Sequence, residues 1–269
     1  MKHERIGAGQ TALVTGASSG IGEGLAERFA QAGFDLVLVA RRAEVLQAVA
    51  ERLAGAHGVR VRVQAADLSQ RGAAGALAAR LRRQRVAIDV LVNNAGVVAQ
   101  GPFVEMPAGL ADGLIDLNIA GLTAMLAAFV PAMARRGSGR VLNVASIAAF
   151  QPVPTLAVYA ASKAYVLSLT ESLAEELRAQ GVTVTALCPG ITATPMLAGA
   201  QQANDGLKRI PGLLVGRMDV VADLGFAACM RGEVVAVPGL LNRAATLSGR
   251  ALPKWVVRRV TGAFTRRLD

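Results

Sequence analysis

Tyr159 and Lys163 open an apolar-periodic run that reaches Gln180. Four residues apart on a helix, their side chains rise from the same face. A free phenol titrates near pH ~10, too high to exchange protons readily at neutrality. An ammonium about 4 Å away stabilises a phenolate by up to ~4 kcal/mol at an effective dielectric of ~20, or roughly 3 pK units. The spacing therefore predicts a phenol with a lowered pKa, able to act as general acid or base. A surface tyrosine beside a solvated lysine has the same spacing, so the meaning of the pair depends on its surroundings.

Those surroundings are an alternation of strands and helices. Gln10 to Thr15 reads as a buried strand, followed by Thr15-Gly16-Ala17-Ser18-Ser19-Gly20-Ile21-Gly22 and a helix carrying Leu25 and Phe29. Glycines let a turn bend sharply and approach a ligand, and a helix N-terminus offers free N–H groups to a phosphate. The spacing G-x-x-x-G-x-G is a variant of the commoner G-x-G-x-x-G fingerprint. Further strands are predicted at 35–39, 59–64, 88–92, 140–145, 182–187 and 234–237, with helices at 43–54, 73–83 and about 109–136 and in the Tyr159 segment. Continuous apolar strands alternating with helices predict an α/β fold: a doubly wound parallel sheet of about seven strands, Rossmann-type, in one domain over 1–239.

Gly16 to Gly22, Arg41, Asp67, Asn93 to Gly96, Ser146 and Pro189 to Thr194 each follow a predicted strand. They fall at the carboxyl ends of the strands, the ligand-binding edge of an open parallel sheet.

In Thr15-Gly16-(x3)-Gly20-x-Gly22, Asp67-Leu68, Asn93-Asn94-Ala95-Gly96, Asn118, Ser146, Tyr159-(x3)-Lys163 and Pro189-Gly190, the chain resembles the short-chain dehydrogenase/reductase family. The matches run in the family's order from residue 11 to about 195, and Ser146 precedes Tyr159 by the family's thirteen residues. The resemblance implies hydride transfer between a nicotinamide cofactor and a carbonyl or alcohol substrate. Tyr159 would exchange the proton, and Ser146 would hydrogen-bond the reacting oxygen. Lys163 would lower the Tyr159 pKa and hold the nicotinamide ribose, and Asn118 would hold a water linking Lys163 to solvent.

For the cofactor, the resemblance places the pyrophosphate at Gly16, Ser18, Ser19, Gly20, Ile21 and Gly22. Asp67 and Leu68 would lie at the adenine, and Asn93, Ala95 and Gly96 would line the adenosine half. Pro189, Gly190, Thr192 and Thr194 would meet the carboxamide and pyrophosphate. NAD-preferring proteins carry an acidic residue at the end of the second strand for the ribose 2′-hydroxyl. Here Ala40 is followed by Arg41 and Arg42, which removes that carboxylate and supplies a guanidinium for a 2′-phosphate. NADP(H) is thus favoured over NAD(H). A lipophilic ketone or aldehyde is the expected substrate class, from Met196, Leu197, Ile210, Leu213 and Leu214 in the segment 191–216. Relatives commonly pair through two long central helices, so a homodimer or homotetramer is expected.

Bulk properties narrow the alternatives. The 269 residues carry a net charge of +10, yet only four of the 29 basic residues are lysine and no nucleic-acid-binding motif accompanies the charge. Nucleic acid is therefore not an expected partner. Cys188 and Cys229 give neither a disulfide framework nor metal-ligand spacing, so no metal is expected. Met1 to Arg5 leads straight into a strand pattern and no uninterrupted run of ~18 apolar residues occurs, which points to a cytoplasmic enzyme. Residues 240–269 form a basic extension packed on the same domain. Within it 253–268 reads as an amphipathic helix with a capacity for weak peripheral membrane contact. The same fold without turnover, as a cofactor-binding sensor or scaffold, is the alternative reading.

Overall fold

A computed structural model describes residues 5–203, 212, 215–240, 242–244, 246 and 259. Arg259 aside, the expected helix at 253–268 lies outside them, as do Ile210, Leu213 and Leu214 of the expected apolar segment.

Seven parallel strands form one sheet: β1 (Thr11–Thr15), β2 (Asp35–Ala40), β3 (Val61–Ala65), β4 (Val90–Asn93), β5 (Gly139–Val144), β6 (Val182–Leu187) and β7 (Val235–Ala236). Their order is β3-β2-β1-β4-β5-β6-β7, so the chain crosses back to the centre after β3. That reversal leaves a crevice between the carboxyl ends of β1 and β4, the topological switch point where such sheets bind ligands. Register is direct: Leu13 faces Val37 on one side and Leu91 on the other. This is the doubly wound architecture that the sequence predicts.

The strands are apolar throughout because both sheet faces are covered. One face carries α1 (Gly20–Gln31), α2 (Ala43–His57) and, after the short α7 (Pro195–Ala203), α8 (Met218–Arg231). The other carries α3 (Ala73–Arg83), α5 (Leu122–Arg136) and α6 (Ala157–Arg178). The first core is anchored by Phe29, whose ring meets Phe34 edge-on at 5.2 Å and Phe226 at 4.9 Å. Such pairs add about 1 kcal/mol each beyond burial. The second is built on Leu77, Leu81, Met125, Phe129 and Met133 against Leu13, Leu91 and Val141.

The helix expected over 109–136 is not uniform. It comprises α4 (Ala108–Ile115), a π-helical turn (Asp116–Gly121) and α5. The π turn lies where Gly121 backs onto Leu68: a Cβ there would come within 2.4 Å of the Leu68 carbonyl oxygen. Wide turns of this kind often mark functional positions, and Asn118 sits inside this one. The whole segment, Ala108–Arg136, has a window of mean hydropathy 1.8, enough by composition to cross a membrane. In the fold its apolar stripe packs on the sheet through Met125, Phe129 and Met133.

Described residues of the extension pack on the strand ends. Asn242 donates to the Pro238 carbonyl at 2.7 Å and Arg243 to the Val237 carbonyl at 3.0 Å.

Candidate active site

The site grows from the carboxyl ends of β1, β4, β5 and β6. Thr15 ends β1, and its hydroxyl donates to the Val92 carbonyl at 3.2 Å while accepting from Asn94 N at 2.9 Å and Ala95 N at 3.0 Å. The Asn94 side chain donates to the Thr15 carbonyl at 3.0 Å and the Gly16 carbonyl at 3.3 Å. These bonds fasten the turn after β4 to the glycine-rich turn after β1. The packing leaves no room for side chains: a Cβ on Gly22 would come within 2.3 Å of the Gly16 carbonyl oxygen. Gly16 itself has φ 64, in the left-handed region that favours glycine.

Ser18 and Ser19 are half-buried in this turn, and Ile21 packs on the core below. Ser19 is the N-cap of α1 but makes no side-chain cap, so no side chain of the cap occupies the first N–H groups of that helix. Thr194 stands across from it: a Cβ on Gly20 would lie 3.5 Å from Thr194 Cγ2. The glycine turn, the free helix end and Thr194 together form a cradle suited to a pyrophosphate.

Arg41 is exposed after β2. The Ser69 hydroxyl and backbone N–H, at 2.7 and 3.0 Å, hold Asp67 below the usual carboxylate range, and the charge of Arg41 adds to this. Arg41 and Asp67 therefore share one end of the crevice. Leu68 is buried beneath them, against Gly121.

Asn93 departs from expectation. Its amide is buried and donates to Asn143 at 3.0 Å, Asn143 donates to Thr170 at 2.9 Å, and Thr170 donates to the Val166 carbonyl at 2.6 Å. This chain of bonds ties β4 and β5 to α6 inside the core. The Asn93 side chain therefore turns into the core, while Asn94 fastens the glycine turn.

At the other end, Tyr159 and Lys163 share the inner face of α6 as their spacing predicts. Lys163 is buried, donates to the Val144 carbonyl at 2.8 Å, and its Nζ lies 5.7 Å from the Tyr159 ring centroid. A Cβ on Gly96 would sit 3.5 Å from that Nζ and 3.1 Å from Asn118 Oδ1, so Gly96 lets the backbone pass beside the lysine. Burial pulls Lys163 down to about 8 despite an opposing effect from Cys188, so it still carries its charge at pH 7.

The phenol contradicts the lowered pKa expected of it. Burial raises Tyr159, and only a hydrogen bond with the Ser146 hydroxyl opposes that. The ammonium stands over the ring and is bonded to a backbone carbonyl, so desolvation outweighs it. Ser146, at the end of β5, also accepts from Ala148 N at 3.1 Å, which orients its hydroxyl.

The Asn118 side chain is likewise committed. Its Oδ1 accepts from Val97 N at 2.9 Å, and its Nδ2 donates to the Val97 carbonyl at 2.9 Å and to Ser162 Oγ at 3.1 Å. Ser162 in turn donates to the Tyr159 carbonyl at 2.7 Å. Asn118 therefore braces the turn after β4 against the helix that carries Tyr159.

After β6, the Pro189 carbonyl accepts from Ile147 N at 2.9 Å and closes the gap to Ser146. Thr192 is buried, bonded to the Gly190 carbonyl at 3.0 Å, and bridged to Gly216. Gly190 lies against Asn242, whose Nδ2 would be 2.6 Å from a Cβ there. Asn242, Asn143 and Ser162 are thus site-supporting residues that motif reading passes over. Thr15 and Asn94 carried a signal, as members of the Thr-Gly and Asn-Asn-Ala-Gly runs. No group of three or more His, Cys, Asp or Glu suited to a metal occurs among the described residues.

Comparison with known proteins agrees with this fold. The family model described as short chain dehydrogenase matches residues 10–205. The chain is 40% identical over 198 residues to "Oxidoreductase UcpA" of Salmonella typhimurium, covering 73% of this chain and 74% of that protein. Among solved structures, it resembles a short-chain dehydrogenase from Sphingobium yanoikuyae in complex with NADPH, at 36% identity and a TM-score of 0.78 over 95% of both chains. It also resembles the bulky-bulky ketone specific alcohol dehydrogenase from Comamonas testosteroni, at 33% identity and a TM-score of 0.75 over 91% of this chain and 95% of that one.

Proposed function

The chain belongs to the short-chain dehydrogenase family, and from that premise we propose an NADP(H)-dependent oxidoreductase that interconverts a lipophilic ketone or aldehyde and the corresponding alcohol. The observation that carries this reading is the convergence of Ser146, Tyr159 and Lys163 at one end of a crevice whose other end holds Arg41 and Asp67.

The residues fit a dinucleotide. Gly16 and Gly22 have no room for a side chain, and the turn they frame leads into a helix N-terminus that lacks a side-chain cap. Gly16, Ser18, Ser19, Gly20, Ile21, Gly22 and Thr194 would hold the pyrophosphate, Asp67 and Leu68 the adenine, and Arg41 a 2′-phosphate. Ala95 and Gly96 would border the ribose, and Pro189, Gly190 and Thr192 the carboxamide. A bound nicotinamide supplies or accepts the hydride.

The protein's own groups handle the proton. Tyr159, held protonated by burial, donates its Oη proton to the carbonyl oxygen as negative charge develops there. The Ser146 hydroxyl donates a hydrogen bond to the same oxygen. Lys163, cationic at neutral pH, stabilises the phenolate left behind. Asn118 braces the Tyr159 helix through Ser162 and would hold the water that links Lys163 to solvent and returns the proton.

NADPH in the Sphingobium neighbour and the bulky ketones of the Comamonas neighbour support the cofactor and substrate class. Exposed Phe103, Val104, Ile191 and Met196 on the same sheet edge support an apolar substrate. The exposed faces of α5 and α6 would join copies as a homodimer or tetramer, in the cytoplasm.

Titrating the purified protein with NADPH and with NADH tests the cofactor assignment. NADPH binding at least about tenfold tighter, with the difference lost in Arg41→Ala, is expected, since a charged hydrogen bond contributes about 1.5–3 kcal/mol. Equal affinities would remove Arg41 from the site.

A further inference from the structure

The chain beyond β7 meets the turn after β6 through one side chain. Gly190 lies on that turn, and the amide of Asn242 fills the place of the side chain it lacks. Nδ2, Oδ1 and Cγ of Asn242 stand 2.6, 2.8 and 2.9 Å from where a Gly190 Cβ would be. Gly190 lies outside the left-handed region, so its backbone conformation does not call for glycine. The close approach of the amide does.

The amide is itself anchored. Its Nδ2 donates to the Pro238 carbonyl at 2.7 Å. One residue on, Arg243 donates from Nε to the Val237 carbonyl at 3.0 Å and from its backbone N to the Gly239 carbonyl at 3.1 Å. The buried Thr246 donates to the Arg243 carbonyl at 2.9 Å. On the other side, β6 pairs with β7 at Leu187 and Ala236, and Cys188 N donates to the Ala236 carbonyl at 2.8 Å. Gly190 and Asn242 therefore both hang from adjoining strand ends, which fixes the amide relative to the glycine.

The other bonds of the turn show what this contact adds. The Pro189 carbonyl accepts from Ile147 N at 2.9 Å, and the Gly190 carbonyl accepts from the Thr192 hydroxyl at 3.0 Å. Those bonds set the directions of two carbonyls. The Gly190 Cα between them has the freest backbone of the turn, since glycine carries no Cβ to restrict it. The Asn242 amide closes off that freedom on one side.

We propose that Asn242 is a positioning residue for the nicotinamide half of the cofactor, its amide holding the Pro189–Gly190 turn in the conformation that receives the carboxamide. The inference rests on the NADP(H) assignment. Asn242 acts through Gly190 and touches none of the reacting atoms.

Calorimetric titration of the full-length protein with NADPH, and with adenosine 2′,5′-bisphosphate, which lacks the nicotinamide half, tests it. The parent chain binds both. Asn242→Ala weakens NADPH at least about fivefold, the worth of one neutral hydrogen bond, and leaves the bisphosphate at the parent's affinity. Gly190→Ala weakens NADPH in the parent, where the new Cβ meets the amide, and does so by a smaller factor when combined with Asn242→Ala, which vacates that place. If Asn242→Ala does not fold, Asn242→Asp is read the same way at neutral pH, because a carboxylate keeps the shape and cannot donate to the Pro238 carbonyl. NADPH affinity unchanged in Asn242→Ala, both ligands weakened alike, or a Gly190→Ala effect equal in the two backgrounds overturns the proposal. A parent that binds neither ligand overturns the NADP(H) assignment, and the proposal falls with it. A parent that binds both, with Asn242→Ala indistinguishable from it, overturns the proposal alone.

Discussion

The Lys163 ammonium lies 5.7 Å from the centre of the Tyr159 ring and donates to the Val144 carbonyl at 2.8 Å. It therefore faces the flank of the phenol and is held there by the sheet. The consequence is a pair in which burial raises the tyrosine and lowers the lysine. Before substrate binds, this arrangement keeps a proton on the acid and a charge beside it.

Lys163 titrates near 8 in the fold, against 10.5 for an ordinary lysine. Between those values unfolding takes up a proton, so stability rises with pH across that window and the cost of burying the charge is fully present below it. That cost is on the order of 3 kcal/mol. In Lys163→Met this contribution should vanish, leaving the fall with pH that Cys229, pushed up to about 12, and Tyr159 impose in both proteins. Urea unfolding of both proteins at pH 7, 9 and 10 reads it directly; parallel curves would show that Lys163 is not the group responsible.

Ser146 is the group that opposes the rise that burial imposes on the Tyr159 phenol. Ser146→Ala should lower kcat by about a hundredfold or more, the usual cost of one donor to a developing oxyanion. NADPH affinity should move little, because the hydroxyl faces the substrate oxygen. A change confined to cofactor affinity would contradict that role.

Gly22→Ala places a Cβ 2.3 Å from the Gly16 carbonyl oxygen. The turn must shift by more than its packing against Asn94 permits, so cofactor binding should fall at least about tenfold and the protein should lose a few kcal/mol of stability. Fluorescence titration and thermal unfolding check both, and an unchanged cofactor affinity would show that the cradle lies elsewhere.

Much of this site is legible in the sequence because motif residues follow strands. The limits of α3 and β6 agree residue for residue with the periodicity, and Ser146, Tyr159 and Lys163 meet as their spacing implies. The Asn93–Asn94 pair shows where legibility stops. Adjacent residues at a strand end point to opposite sides, and only the Asn143–Thr170 partners decide that Asn93 turns into the core while Asn94 fastens the glycine turn. The Tyr159 pKa was unreadable for a related reason. Spacing gives proximity, but desolvation and the Val144 carbonyl set the balance. Asn242 approaches Gly190 across more than fifty residues of chain, a contact no local pattern encodes.

The most direct measurement follows the loss of nicotinamide absorbance when NADPH-loaded protein is mixed with a panel of bulky lipophilic ketones, comparing the parent chain with Tyr159→Phe. The parent should turn over at least one of them. The variant should lose about a hundredfold to ten-thousandfold in rate, the range for removing a general acid, while binding NADPH as before. Equal rates would contradict proton donation by Tyr159.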